Sequence, residues 1–217
     1  MRLLFLILAI TISQVAFGQQ DSTSKDTIKT EPVNLTDSIG SFSWGLKGLT
    51  DYITGRLDTI ISNEELYRLT MNWIKETYKM PDKVIQTSIE GEMIRIEGID
   101  KSALTVQSSL VTIRYDLKYT IEFRFKDGRI KIDPLTLYYY MIPNQYEVGG
   151  WKPFPSTGSD YYKWNKKTNE YVLIIRYESY PSELAGLYNG ISLSLFQYLR
   201  KSKNNKAGLT DNGANDW

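Results

Sequence analysis

The sequence predicts an α+β domain in which an antiparallel sheet of about five strands is covered on one face by two helices. Two observations lead to this prediction. Residues 111–126, VTIRYDLKYTIEFRFK, alternate apolar and polar side chains without interruption, as in a strand with one buried face. Residues 62–80 and 181–201 have apolar side chains three and four positions apart, as in helices with one buried face. Both helices are therefore expected on the apolar face of the sheet.

The composition limits the size of the domain and its chemistry. The chain has 217 residues, of which 41% are apolar and 13% aromatic, and a formal net charge of +1, which suits one main domain. It has no cysteine and no histidine, so thiolate catalysis, histidine bases and the usual zinc ligands are excluded. The balanced charge argues against nucleic acid as a partner. We expect no cofactor, no metal and no nucleic acid.

Residues 1–18 are predicted to be a signal peptide. An apolar run follows Arg2 and is too short, at about ten residues, to cross a bilayer core of ~30 Å. The small residues Ala16 and Gly18 suit cleavage before Gln19. The alternative is an uncleaved membrane anchor. The mature protein is thus expected to be exported, periplasmic or secreted, without a membrane-spanning segment.

Three regions follow the predicted signal peptide. Residues 19–50 are rich in Ser, Thr, Asp and Lys and are expected to form a flexible leader. An edge strand near residue 44 is the alternative for the end of this leader, although Gly45 and Gly48 weaken it. Residues 51–202 form the predicted domain, and residues 203–217 a disordered tail.

The domain is expected to begin with a strand within residues 51–60 and a helix after it. Ser62 and Glu65 fit a capping box at the start of the helix, and Pro81 ends it. The apolar stripe of this helix consists of Leu66, Leu69, Trp73 and Thr77. We interpret Trp73 as a core residue, with ligand stacking as the alternative.

The following segment has the period of two that is typical of strands. Residues 83–98 predict two short strands joined by a tight hairpin at Glu90-Gly91. Asp127-Gly128 supplies the residues of a type I′ turn after the long strand, and a change of parity at Pro134 predicts a bulge in the returning strand. The long strand is expected to point these side chains toward the helices: Val111, Ile113, Tyr115, Leu117, Tyr119, Ile121, Phe123 and Phe125.

The remainder of the domain is predicted to be a loop and a helix. Residues 143–170 are dense in Gly, Pro, Asn and aromatic residues and indicate a long surface excursion. Residues 172–178 fit either a strand or a helix. Pro181 suits the start of the final helix, whose apolar stripe comprises Leu184, Leu187, Tyr188, Ile191, Leu195, Tyr198 and Leu199.

The run NEELYRLTMNWIKETYKMPDKVIQTSIEGEMIRIEG, followed by the long alternating hairpin, resembles an exported family of Bacteroidota. That family is a domain of unknown function with a TATA-binding-protein-like (TBP-like) fold. The resemblance covers roughly residues 55–142, with a weaker continuation into the final helix. It implies a curved antiparallel sheet backed by helices, and it implies no catalytic residues.

Aromatic residues in the excursion are the candidate ligand-binding residues. They are Trp151, Phe154, Tyr161, Tyr162 and Trp164. Rigid rings on a Gly- and Pro-rich loop can stack on sugar rings or hold a protein partner. The alternative is that they fold down as a lid over the core. No residues are assigned to catalysis or to metal binding.

Short Asp-Ser/Thr-apolar triplets resemble the sites of periplasmic O-glycosylation in Bacteroidota. The candidate acceptors are Thr27, Ser38 and Thr59. Most of these triplets fall in the predicted leader, where a modifying enzyme could reach them.

These observations favour an exported, non-catalytic binding module of the cell envelope, with an envelope protein or a glycan as its partner. A hydrolase that uses a carboxylate pair on envelope glycan or peptide is the competing class. A third possibility is a structural role in which a partner strand extends the sheet edge.

Overall fold

The computed structural model of the protein describes residues 37–57, 61–107, 111–155 and 157–210, with side chains as far as residue 204. The predicted signal peptide, most of the predicted leader, and Thr27 and Thr59 lie outside the described residues. Within the described part of the chain, no helix is long and apolar enough to cross a membrane.

The core of the fold is a seven-stranded antiparallel sheet in the described residues, rather than the five strands expected. Its strands are β1 (Ser38–Ile39), β4 (Ile53–Arg56), β5 (Ile85–Ile89), β6 (Met93–Gln107), β7 (Thr112–Lys126), β8 (Arg129–Met141) and β9 (Gly150–Pro153). The order is β1-β4-β8-β7-β6-β5, and β9 pairs with the far end of β8. The long alternating segment therefore forms the centre of the sheet, as predicted.

Smaller elements complete the domain. Two short hairpins are formed by β2 (Trp44–Gly45) with β3 (Gly48–Leu49), and by β10 (Tyr162–Asn165) with β11 (Glu170–Leu173). The helices are α1 (Asn63–Thr77), a single turn α2 (Pro81–Val84) and α3 (Tyr180–Thr210). The segment that fitted either strand or helix is split, because β11 is followed by a 3-10 turn at Ile175–Tyr177.

Helices α1 and α3 both pack on one face of the sheet, as predicted. Trp73 of α1 is 2% exposed and packs edge-on against Phe123 of β7, and its indole N–H donates to the Ser194 hydroxyl of α3 at 3.1 Å. Leu195 and Leu199 of α3 are buried in the same cluster. The interpretation of Trp73 as a core residue is confirmed. Thr77 is exposed, because α1 buries Ile74 in its place.

The central strand β7 follows the predicted alternation over most of its length. The inward side chains from Leu117 to Phe125 are buried. Val111 and Ile113 were expected to be covered, but they are 58% and 37% exposed. They precede the first residue of β7 that pairs with β8, Leu117. Residues 115–125 are therefore the part of this apolar face that the domain covers.

Turn chemistry explains how the strands connect. The β5–β6 hairpin turns at Gly91, which has a φ of +71°. At Asp127-Gly128 only Gly128 has a positive φ, so the predicted type I′ geometry, which needs it at both positions, is wrong. Asp127 instead accepts a hydrogen bond from the backbone N–H of Asn63 at 3.0 Å, which joins this turn to the start of α1.

The parity change at Pro134 is a β-bulge, as predicted. The β7–β8 register shifts between Thr120, which pairs with Thr136, and Ile121, which pairs with Pro134. The extra residue, Leu135, is 43% exposed. The inward side chains of β8 change at the bulge from even positions, Ile130 and Ile132, to odd positions, Leu137 and Tyr139.

Both predicted ends of the domain are corrected. Residues 37–50, expected to belong to the flexible leader, pack on the domain, with Phe42 and Trp44 buried. The Asn189 side chain of α3 fixes this segment, since it accepts from the Phe42 N–H at 2.7 Å and donates to its carbonyl at 3.0 Å. At the other end, α3 continues through residues 203–210, which were expected to be disordered.

Candidate ligand-binding site

A crevice lined by tyrosines lies where the ends of β6, β7 and β8 meet the start of α3. Its volume is about 210 Å³. We call it the tyrosine crevice. Its lining comprises Leu104, Val106, Tyr115, Tyr139, Met141, Phe154, Pro155, Tyr161, Tyr177 and Tyr180. Its five tyrosines are spread over positions 115 to 180, so they come together only in the folded domain.

Ring contacts fix the walls of the crevice. Tyr161 stacks on Phe154 with centroids 5.6 Å apart and meets Tyr177 edge-on at 4.9 Å. Tyr115 and Tyr139, from neighbouring strands, form an edge-on pair at 5.5 Å. Such geometries are favourable for aromatic pairs. The walls are therefore held by the packing of the second core cluster rather than by a free loop.

Local structure places each wall. The β10–β11 hairpin brings Tyr161 and Tyr177 together, and the Ile174 N–H donates to the Tyr161 carbonyl at 2.8 Å. The start of α3 is held against β6 by Glu183, whose carboxylate accepts from the Thr105 N–H at 2.8 Å and from the Ser179 hydroxyl at 2.8 Å. Tyr180 is thereby fixed at the base of the helix.

The hydroxyl groups of the crevice are available to a ligand. None of its five tyrosine hydroxyls has a hydrogen-bond partner among the described residues, and none is fully enclosed. Burial raises the pKa of Tyr161 and Tyr180, and the neighbouring tyrosines raise both further. Burial likewise raises the pKa of Tyr115, with Tyr139 and Tyr177 contributing. These phenols remain protonated and can donate or accept hydrogen bonds.

No charged side chain lines the crevice among the described residues. Charged groups lie near it: the Arg176 guanidinium is 4.9 Å from the centre of the Tyr177 ring, and Asp160 and Glu183 help to raise the pKa of Tyr161 and Tyr180. Aromatic faces combined with a few uncharged hydroxyls suit a neutral group that is partly apolar. At about 210 Å³ the crevice is smaller than pockets of ~300–1,000 Å³ that enclose whole small molecules. It fits one ring or one side chain of a larger ligand.

The predicted binding residues do not form one surface. Phe154 and Tyr161 are each 8% exposed and serve as walls of the crevice, in line with the alternative in which these rings fold down over the core. Tyr162 is half-buried beside the second cluster. Trp151 pairs with Tyr140 on β9 and β8.

Trp164, in contrast, is 47% exposed and forms an edge-on pair with Tyr171 on the β10–β11 hairpin. The excursion of residues 143–170 is also more regular than expected, because it contains β9, a 3-10 turn at Gly158–Tyr161 and β10.

The face of the sheet opposite the helices carries paired charges. The Glu122 side chain is fully buried there, at 0% exposure, beneath the guanidinium groups of Arg95 at 2.6 Å and Arg124. Burial alone would raise the pKa of Glu122, but the hydrogen bonds from Arg95 and Arg124 outweigh it and lower that pKa. Lys131 pairs with Asp133 at 2.7 Å. Both carboxylates, Glu122 and Asp133, are thus paired with cations. Among the described residues, no group of three or more His, Cys, Asp or Glu side chains could hold a metal ion.

The three candidate acceptors of O-glycosylation are in different situations. Ser38 is exposed on the short edge strand β1. Its neighbour Asp37 is buried and accepts ion pairs from Arg200 and Lys203, each at 3.4 Å. Thr27 and Thr59 lie outside the described residues. Modification of these three residues remains a prediction.

Four tyrosines of the crevice were missed as site residues. Tyr115 and Tyr139 lie on alternating strands, where the pattern indicates core packing. Tyr177 and Tyr180 precede the final helix. The concentration of tyrosine, 16 in the chain, was the one signal that could have drawn attention to them.

Comparison with known proteins finds a family model that matches part of the chain. Residues 60–140 match the model of the family described as a domain of unknown function (DUF4468) with TBP-like fold. This confirms, for that segment, the family and the fold class that the sequence pattern indicated.

Two solved structures are similar to the chain. One is a DUF4468 family protein of Bacteroides ovatus, with 14% identity and a TM-score of 0.46 over 71% of this chain and 90% of that one. The other is a TBP-like protein of Parabacteroides distasonis, with 14% identity and a TM-score of 0.46 over 69% of this chain and 90% of that one. No curated protein matches the chain.

Proposed function

We propose that the protein is an exported, non-catalytic binding module of the cell envelope and that its tyrosine crevice holds one sugar ring of an envelope glycan. The observation that supports the proposal is a crevice with aromatic walls whose five lining tyrosines have hydroxyls without a hydrogen-bond partner among the described residues. Export is supported by the signal-peptide pattern of residues 1–18.

A sugar ring matches this site in shape and chemistry. Its C–H faces are apolar and pack on aromatic rings, whereas its hydroxyls both donate and accept hydrogen bonds. Because no charged side chain lines the crevice among the described residues, it favours an uncharged sugar over a phosphate or a carboxylate. Its volume of about 210 Å³ suits a single ring, with the rest of the glycan outside.

The alternative, a carboxylate-dependent hydrolase, has less support. Glycoside hydrolysis needs one carboxyl group with a raised pKa as the acid. Glu122 has a lowered pKa and is paired with Arg95 and Arg124, and Asp133 is paired with Lys131. Neither carboxylate lines the crevice.

A glycan array probed with the mature protein, from Gln19 onward, tests the proposal. Glycans that bind should do so more weakly to the Tyr177→Phe and Tyr180→Phe variants, because each loses one hydroxyl but keeps its ring. Loss of one hydrogen bond of ~0.5–1.5 kcal/mol lowers affinity about two- to twelvefold. Tyr171→Phe, outside the crevice, is the matched control and should bind as the wild type does. Absence of any bound glycan, or equal weakening by all three substitutions, would refute the proposal.

A further inference from the structure

Three cationic side chains lie side by side at one end of the sheet. Arg56 of β4 is directly opposite Arg129 of β8, and Arg129 is directly opposite Lys126 of β7. Their strand neighbours Ile130 and Phe125 are buried on the helix side, so the three cations lie on the outer face. All three are exposed. We call Arg56, Arg129 and Lys126 the basic row.

The basic row departs from the charge pairing on the rest of the outer face. Arg95 and Arg124 pair there with Glu122. Lys131 pairs with Asp133. Among the described residues, by contrast, no carboxylate forms an ion pair with the basic row. Like charges directly opposite each other on neighbouring strands are unfavourable, so a bound anion would stabilise this arrangement.

The next pair of cations along the same strands adds to the positive charge beside the row. Lys131 of β8 and Arg124 of β7 are directly opposite each other. The buried Glu122 carboxylate accepts from the Nε atom of Arg124, which fixes the direction of this side chain. Arg124 is nevertheless 61% exposed, so its remaining donors are accessible from solvent. The outer face therefore has an excess of accessible cationic donors around the basic row.

The number and type of these donors suit a phosphate group. A phosphate monoester carries about −1.5 to −2 charges near pH 7 and has three strong acceptor oxygens, whereas a carboxylate has one charge and two oxygens. The fork of donors on arginine matches phosphate oxygens. Neighbouring strands are ~4.8 Å apart, so the long side chains of Arg56 and Lys126 can both reach a group bound above Arg129.

A cavity beside the basic row leaves room for the group that carries the phosphate. Its volume is about 490 Å³, and it is lined by Lys126 and Arg129 together with Asn63, Phe125 and Asp127. Asp127 is the one carboxylate of the described lining, and it accepts from the backbone N–H of Asn63 at 3.0 Å. The two cations of the basic row therefore outnumber the carboxylate in this cavity.

We propose that the basic row binds a phosphate group, which contacts Arg129 at the centre of the row and Arg56 and Lys126 on either side. The phosphate is a free ion or belongs to a sugar or a lipid headgroup, and the probes below distinguish these sources. This inference goes beyond the glycan site, because none of the three residues lines the tyrosine crevice. The two proposals can therefore fail independently.

The first test is a titration of the mature protein with inorganic phosphate, followed by amide nuclear magnetic resonance. Sodium chloride at equal ionic strength is the reference, because it screens charges without offering phosphate oxygens. Signals of the basic row should shift saturably. Arg129→Gln should raise the dissociation constant about two- to fivefold, as expected for one exposed ion pair, and replacement of all three cations by glutamine should abolish saturation. The matched control Lys163→Gln, exposed on β10, should bind as the wild type does.

Two further probes identify the source of the phosphate. Glucose 6-phosphate, with glucose as its control, represents a phosphorylated sugar. Phosphatidylcholine vesicles with phosphatidic acid, against vesicles of phosphatidylcholine alone, represent a lipid headgroup. Tighter binding of the sugar phosphate than of inorganic phosphate assigns the sugar, and co-sedimentation with the phosphatidic acid vesicles that the triple variant loses assigns the lipid. Binding of inorganic phosphate alone assigns the free ion.

Thermal unfolding separates binding from folding. Without phosphate, Arg129→Gln should unfold at the same temperature as the wild type or higher, because it removes repulsion between like charges. Phosphate should raise the unfolding temperature of the wild type above its value in chloride, and should raise that of the triple variant less. The proposal would be overturned by the absence of saturable shifts with inorganic phosphate, by shifts that persist in the triple variant, or by equal weakening in Lys163→Gln.

Discussion

Replacement of Gly98 by alanine should destabilise the domain through a steric conflict with Tyr119. The two residues face each other on β6 and β7. A Cβ atom on residue 98 would overlap the Tyr119 hydroxyl and would lie 2.8 Å from its Cε2 atom. Tyr119 is 5% exposed, and its hydroxyl lies 3.2 Å from that of Tyr78. The ring therefore has little freedom to move away.

The expected cost follows from these contacts. Overpacking of a core by a methyl group costs ~1–3 kcal/mol, and loss of the Tyr78–Tyr119 hydrogen bond adds ~0.5–1.5 kcal/mol. Gly98 does not have a positive φ, so alanine at an open site of this kind would stabilise by ~0.4–1 kcal/mol. The net destabilisation should be about 0.5–4 kcal/mol, because the conflict with the Tyr119 ring outweighs the gain from replacing glycine.

Urea unfolding of four proteins measures this effect as a double-mutant cycle. Gly98→Ala should cost the stated amount with Tyr119 present, but should be neutral or stabilising by up to ~1 kcal/mol in a Tyr119→Leu background, because leucine lacks the atoms that the new Cβ would meet. Gly45→Ala is the matched control, since a Cβ there has no neighbour within 4 Å. Equal effects of Gly98→Ala in both backgrounds would show that the ring does not require the glycine.

Three further substitutions test other contacts. Glu122→Gln should lower the free energy of unfolding by ~1–3 kcal/mol near pH 7. Because the folded pKa of the Glu122 carboxyl is lowered, the greater stability of the wild type should be lost as pH falls below ~4.3. Urea unfolding at several pH values measures this. Burial raises the folded pKa of Tyr180, so the stability that its neutral phenol contributes is present below pH ~10 and is lost progressively above it. The unfolding temperature of Tyr180→Phe should therefore fall less than that of the wild type between pH 8 and 11. Asn189→Ala should cost ~1–3 kcal/mol, because it leaves both backbone groups of Phe42 unpaired; hydrogen exchange should accelerate at Phe42 and remain unchanged at the centre of β7.

The sequence predicted the elements that depend on local patterns. Strand β7, the stripe of α3 and the bulge at Pro134 follow from periodicity and from the missing N–H of proline. The core role of Trp73 follows from its position on the stripe of α1. Each of these features is decided by neighbours within a few residues along the chain.

The parts that were missed depend on distant contacts. Trp44 precedes a glycine and lies in a polar segment, and it is buried because Phe154 and Tyr161 cover it. Gly158 lies so close to the Gly45 carbonyl that any side chain there would collide with it, which explains how the β2–β3 hairpin packs on this turn. No local pattern specifies such an approach across more than a hundred residues.

The candidate site shows the same division. The sequence left two interpretations of Phe154 and Tyr161 open: binding residues on a loop, or rings folded down over the core. Their actual role as walls depends on Tyr177, Tyr180 and the β10–β11 hairpin. Alternation along β7 predicted the face of the sheet on which Tyr115 lies. Its partial exposure follows because β7 pairs with β8 only from Leu117 onward.

Nuclear magnetic resonance can locate the glycan that we propose for the tyrosine crevice. The tyrosines of the mature protein are labelled selectively with isotopes, and the protein is titrated with the strongest array glycan. Saturable shifts are expected for the signals of the five crevice tyrosines, Tyr115, Tyr139, Tyr161, Tyr177 and Tyr180. The signal of Tyr146, which is 86% exposed and does not line the crevice, should stay fixed. Binding that leaves the five crevice signals in place, or no binding of any array glycan, would refute a glycan site in the crevice.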